Sequence, residues 1–396
     1  MTIGMNIETL IVGLSAVAML LATVYALWRW SRVRRLRRYV SAEGTREYCG
    51  EADLPTVSVV VYASEDAAGL ERNLPLLLSQ RYPKPYEVIV VNDGAWDNSG
   101  NVVSAMMAVD SRLRLTFAPR EARGLSRKKL SLMIGVKAAK GSEVVVITNA
   151  NCEPASDEWL LKICRGFVAG VDVVAGYSVP CYAEDRGLWR RYRVWDTVRV
   201  GMQYVNSAVK GKMYRGTSDN LAFRREAFFA HGGYARSLGL KWGEDDVWLR
   251  SVVKRGNARM ELAAESLMTA HYDDPKRAHK ELKLRRDFTS RFVRRKQFLV
   301  DGLMSAMNYG RVCALVAAVA LAAATGNWWL LGAVAALWLC AVCVNISLYN
   351  KEARLLHAPR LIANVPLQAL WTPVVNLRYR MAGRKARRGY YTTTLE

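Results

Sequence analysis

Histidine is scarce in this sequence, four in 396 residues, and the seven cysteines are odd in number and scattered. No two histidines stand at helical ligand spacing, and the one close pair of cysteines, Cys340 and Cys343, lies inside an apolar run. These absences exclude a zinc centre built from such residues and a disulfide framework, and leave the cysteines to packing. Acidic residues are few as well: 35 Asp and Glu face 57 Lys and Arg, a formal net charge of +22. The excess is not spread evenly. Arg29 to Arg38, Lys276 to Lys296 and Asn350 to Glu396 carry +21 of it, each beside an apolar segment. That distribution faces anionic lipid and excludes nucleic acid as the partner.

Apolar runs of membrane-spanning length are confined to the two ends. Ile7 to Trp28 has about the 20 residues that a bilayer core requires, with Glu8 near its start. It lacks the basic n-region of a secretory signal, and its arginines follow the run, so residues 1–30 read as an uncleaved anchor and 31–54 as a basic juxtamembrane linker. Arg29 to Arg38 then puts the next domain in the cytoplasm. A second block, 303–348, is broken by Gly326 and Asn327 and reads as a transmembrane helical hairpin. Arg311 lies inside its first span and must snorkel or face protein. The tail, 350–396, holds an apolar stretch at 361–377 interrupted by Pro366 and Pro373, expected to be interfacial or re-entrant. Three spans without paired intramembrane charges make a poor transport pathway.

Between the anchors, 55–275 alternates strand and helix. Val57 to Tyr62, Tyr86 to Val91, Leu113 to Phe117 and Glu143 to Thr148 are β-rich runs, separated by helical stretches at Ala67 to Gln80, Asp97 to Val109 and Ser126 to Lys140. Four strands alternating with helices predict an α/β fold with a mostly parallel sheet covered on both faces. The last strand runs into Asn149, Ala150, Asn151 and Cys152, small and polar residues at the sheet edge where ligands bind in such folds.

Four motifs now stand in order: Asn92-Asp93-Gly94 after a strand, Lys128 and Lys129 opening a helix, Thr148-x-Ala150-x-Cys152 after a strand, and Gly243-Glu244-Asp245-Asp246. Together they resemble a membrane-bound family 2 glycosyltransferase with the GT-A fold, over about Pro55 to Lys296. The resemblance implies a nucleotide-sugar donor, a metal-bridged diphosphate and a single displacement with inversion. Asp93 corresponds to the carboxylate that contacts uracil or ribose, and Lys128 and Lys129, near a helix N-terminus, suit the diphosphate. Asp245 is the expected general base, with Asp246 second, and Glu244 completes a run whose mutual repulsion raises proton affinity. The same acids would also suit a helix N-terminus without any catalytic part. Asp219 and Asn220, in a loop that resembles the acceptor-framing loop, are candidates for sugar hydroxyls. Lys283 to Asp287 occupies the place of the family's Gln-x-x-Arg-Trp motif, where only Arg286 matches, on a basic amphipathic segment, 276–300, expected along the membrane surface.

The largest departure is at the metal motif, where the family's Asp-x-Asp is replaced by Asn149-Ala150-Asn151. Neutral amides are weaker ligands for Mg²⁺ or Mn²⁺ than carboxylates. Three outcomes stay open: other groups such as Glu153 and Asp245 hold the metal, Lys128 and Lys129 replace it, or the chain is a non-catalytic homologue that binds or scaffolds in a glycan-assembly complex. The first expectation is an inner-membrane, multi-pass glycosyltransferase with its catalytic domain in the cytoplasm. It would move one hexosyl-type sugar from a nucleotide-sugar to a glycan or lipid-linked hydroxyl acceptor in polysaccharide or cell-envelope synthesis, with membrane lipid and glycan-assembly proteins as partners.

Overall fold

The structure, a computed structural model, describes residues 7–94, 96–119, 124–181, 187–292, 296–362 and 364–385. In chain order the elements are α1 (Ile7–Ser41), β1 (Val57–Ala63), α2 (Ala67–Leu78), β2 (Tyr86–Asn92), α3 (Ser99–Met107), β3 (Leu113–Phe117), α4 (Arg127–Ala138) and β4 (Val144–Asn149). There follow β5 (Cys152–Pro154), α5 (Trp159–Cys164), β6 (Val173–Ala175), β7 (Ser178–Pro180), α6 (Gly187–Val209), β8 (Leu221–Arg224), α7 (Arg225–Ala230) and α8 (Asp246–Val252). The remainder are β9 (Ala258–Met260), β10 (Met268–Ala270), α9 (Pro275–Thr289), α10 (Lys296–Ala324), α11 (Trp328–Leu355) and α12 (Val365–Lys385).

These elements fall into two compact units. One collects α1 as far as Arg38, α6 as far as Gln203, α10, α11, and α12 as far as Val375; the other holds the sheets and their helices. In the sheet unit, seven strands run in the order β3-β2-β1-β4-β8-β6-β9. The four strands expected from the sequence pair in parallel, and β8 is antiparallel to both β4 and β6. Every residue of β4 is buried, which is what a β-branched run without alternation provides. Val59, Val61, Val88, Val90, Val144 and Val146 point into one core with Leu70, Leu74 and Trp159. On the other face α4 comes in at Gly135, where an added Cβ would stand 2.4 Å from Val60. A smaller sheet, β5-β10-β7, stands beside the carboxyl end of β4.

In the other unit, three helices are long and apolar enough to cross a membrane: Ile7–Ser41, Leu299–Ala324 and Trp328–Leu355. α1 does not stop at the end of its apolar stretch; it continues through the arginine cluster to Ser41. The expected break between the last two helices is present, with Asn327 accepting from the Leu330 amide as the N-cap of α11 and Gly326 at φ +67°. Arg29, at the end of the first apolar stretch, donates to both carboxylate oxygens of Glu352 at 3.0 and 2.5 Å. The segment expected to be interfacial forms α12 with Pro373 inside it.

Candidate active site

The carboxyl ends of β1, β2 and β4 and the start of α4 meet the acidic motif. Asp93 follows β2 directly and is 5% exposed; its Oδ2 accepts from the Tyr62 hydroxyl at 2.8 Å. The ammonium of Lys128, at the second residue of α4, stands 5.2 Å from the centre of the same Tyr62 ring, donates to Ser218 Oγ at 2.9 Å and lies 3.4 Å from Glu244 Oε1. The acidic motif leaves a tight turn. Gly243 takes φ +108°, and a Cβ there would sit 2.5 Å from Val247.

Glu244, Asp245 and Asp246 are all buried, at 1, 4 and 2% exposure, so each carboxylate needs a partner. Arg285 of α9 supplies most of them, reaching Glu244 at 3.2 Å and closing tightly on Asp245. Asp246 faces Arg215 at 3.4 Å. Asp245 also occupies the N-cap of α8 and accepts from the Asp246 amide at 2.7 Å, so it serves the helix as well.

The three acids do not raise one another uniformly. Asp246 is pushed up to about 6, first by burial and then by the charge on Asp245. Burial also pushes Glu244 up, but Arg285 and Lys128 outweigh it and hold the carboxyl at about 2. Repulsion from Asp245 thus adds to burial at Asp246, whereas at Glu244 the neighbouring cations prevail.

Lys129 corrects one expectation. It is fully buried and donates to three backbone carbonyls, those of Ser237, Leu240 and Trp242, at 2.6 to 2.9 Å. An ammonium has three protons, so none is left for a phosphate. Lys129 clamps the loop that leads into the acidic motif, and burial lowers it to about 8. Asn220 is a second correction: fully buried, it accepts from Trp159 Nε1 and donates to the Tyr177 and Ser266 carbonyls, which uses its side chain inside the fold. On α9, Arg285, the residue before the motif-matching Arg286, holds Glu244 and Asp245. The helix buries His279, Lys283 and Phe288 in this unit, with Phe288 edge-on to Trp242 at 6.0 Å.

At the amide pair, Asn149 Nδ2 donates to Asp219 Oδ1 at 2.6 Å, and its buried Oδ1 has no hydrogen-bond partner among the described residues. Asp219 accepts from Thr217 Oγ1 at 2.8 Å with its other oxygen. Asn151 Nδ2 donates to the His271 carbonyl, and the His271 ring meets Glu153 at 2.7 Å across β5 and β10. A divalent cation of the Mg²⁺ or Mn²⁺ type wants several anionic oxygens on one centre. Among the described residues no group of three or more His, Cys, Asp or Glu is placed to hold one. The amides present a donor toward Asp219 and toward a carbonyl, so these residues do not fit a metal of the Asp-x-Asp kind.

Residues 56–231 match the family model described as glycosyl transferase family 2. The glycosyltransferase AglE of Haloferax volcanii is 25% identical over 125 residues, 31% of this chain and 39% of that protein, so the match spans well under two thirds of that relative. The solved mannosyltransferase PcManGT from Pyrobaculum calidifontis, in complex with GDP-Man and Mn²⁺, superimposes with a TM-score of 0.56 at 20% identity, covering 92% of this chain and 99% of that one. At that identity the likeness is one of fold, and it extends over the apolar helices as well as the sheets. Residues 56–231 are thus similar to glycosyl transferase family 2, and the sheet unit has a GT-A-like α/β fold with a mostly parallel central sheet.

Proposed function

We propose that the chain is an inverting glycosyltransferase that moves a sugar from a nucleotide-sugar to a hydroxyl acceptor at the cytoplasmic face of the inner membrane. The observation that carries this reading is the unbroken run of contacts Asp93–Tyr62–Lys128–Glu244–Arg285–Asp245, which ties the donor-side carboxylate to the acidic motif. In this reading Asp93 accepts from the base or ribose of the donor. Lys128 meets the diphosphate as it leaves, since its partners Ser218 and Glu244 leave it part-exposed. Asp219 takes a sugar hydroxyl. Asp245 takes the proton of the acceptor hydroxyl; the oxygen attacks the anomeric carbon, and the nucleoside diphosphate departs with the bonding pair. No part of this sequence is routed through a metal.

The amide pair favours a second reading, a homologue that has lost catalysis and serves as a binding or scaffolding subunit of glycan assembly. Proteoliposomes carrying the full chain, offered a panel of labelled nucleotide-sugars and a membrane extract as acceptor source, separate the two. GDP-Man, the ligand of the solved mannosyltransferase, belongs in the panel. Transfer that Asp245→Asn abolishes supports the enzyme; no transfer from any donor, with a folded protein, supports the scaffold.

A further inference from the structure

Where α1, α6, α10 and α11 meet, within the unit that holds the apolar helices, lies a cavity of about 60 Å³. Its polar walls are Arg29, Arg32, Arg199, Gln203, Asp301 and Glu352, and Asp196, paired with Arg199, brings the charges to three guanidinium groups and three carboxylates. Arg29 is saturated by Glu352 and by Asn345 at 3.2 Å. Asp301 is shared between Arg32 at 2.9 Å and Gln203 at 2.6 Å, and the Arg32 guanidinium stacks over Trp28 at 4.4 Å. Arg199 donates one nitrogen to Asp196 at 2.9 Å, and its buried Nε has no hydrogen-bond partner among the described residues. A buried donor without an acceptor is costly, so this wall favours one more acceptor oxygen.

Depth gives the source of that anion. Arg29 stands about 22 residues after Ile7, roughly 33 Å along a helix, which is the distance across a bilayer's hydrocarbon core. The rings of Trp28 and Trp195 line the same cavity, as aromatic side chains do at headgroup level. The volume admits about four or five water-sized atoms, the size of a phosphate group and too small for a sugar.

We propose that this cavity holds the phosphate of a membrane phospholipid, with Arg199 and Arg32 as its donors and the fatty chains along the apolar helices. The inference rests on reading those helices as membrane spans. It concerns a bound lipid at a site separate from the sugar-transfer chemistry.

The test uses the full chain in detergent, delipidated and titrated with phosphatidylglycerol under native mass spectrometry. Arg199→Gln and Ser305→Phe are compared with the parent; the second fills the cavity and leaves every ion pair in place, and thermal unfolding checks both folds. The expected result is one bound lipid, held at least about tenfold more weakly by both variants, as for loss of a charged hydrogen bond. Millimolar inorganic phosphate should fail to displace it. Equal binding by all three proteins overturns the site, and displacement by inorganic phosphate overturns its lipid occupant. A chain that stays monodisperse in water without detergent overturns the membrane reading itself, a separate outcome read before any lipid is added.

Discussion

Lys129 donates its ammonium to the Trp242 carbonyl at 2.8 Å, two residues before the acidic motif begins. With the Ser237 and Leu240 carbonyls it closes a buried three-point clamp, so the position of Glu244 depends on a lysine that touches no substrate. Lys129→Met keeps the length of the side chain and removes all three donors to the Ser237, Leu240 and Trp242 carbonyls. Stability should fall by about 2–4 kcal/mol, read by chemical denaturation. Burial depresses the lysine to about 8, so its charge is a burden below that pH which lifts as pH rises from about 8 toward 10.5. Over that window the parent should gain stability relative to Lys129→Met; a constant difference would show that the ammonium carries no such strain.

The pair Asp245 and Asp246 predicts a pH signature. Asp246 is raised to about 6, so the folded state binds a proton more tightly than the unfolded chain does. Stability from this group is therefore present below its ordinary value near 3.8 and is lost as pH rises through about 6. In catalysis the pair should give a limb in kcat/KM that climbs through pH about 6. Asp245→Asn should lower kcat by at least ~10²-fold. Asp246→Asn should shift that limb to lower pH and retain most of kcat. The opposite pattern would transfer the role of base to Asp246.

Arg285 is predicted to matter more than its neighbour Arg286. Arg285→Gln leaves Glu244 and Asp245 buried without their main counter-charge, and removal of one partner from a buried pair costs about 3–5 kcal/mol. Glu244 should then lose its depressed pKa, so the variant gains less stability than the parent as pH rises from about 2 to 4.5. Denaturation curves at several pH values on both arginine variants check this. Equal losses in the two would remove the distinction.

Much of the fold could be read before any coordinates. β1, β2 and β4 announce themselves as valine-rich runs buried on both faces, while β3, Leu113–Phe117, shows only by its place in the strand–helix alternation, and the hairpin turn at Gly326 and Asn327 follows from two residues between long apolar stretches. The short strands β5, β7 and β10 did not show, because three residues are too few to carry a period. A motif at a strand end fixes where a residue stands, as for Asp93 directly after β2. The site was not legible where helix rotation decides: Arg285 and Arg286 are adjacent, yet one residue turns the side chain by about 100°, and the motif gives no sign that Arg285 meets Glu244 and Asp245. Lys129 escaped for a similar reason, since two neighbouring lysines on a helix read alike until one proves to be buried. Asn220 sits inside a polar loop, where nothing in the sequence signals that its amide is consumed by Trp159 and two carbonyls.

The central claim is a donor site whose diphosphate charge is met by Lys128 in place of a metal. Calorimetry of the full chain with a panel of nucleotide-sugars, in Mn²⁺ and in EDTA, tests it most directly. The account predicts binding of at least one donor with the same affinity in both buffers, reduced by roughly tenfold or more in Lys128→Ala. Binding that requires Mn²⁺, or no binding of any nucleotide-sugar in either buffer, would contradict it.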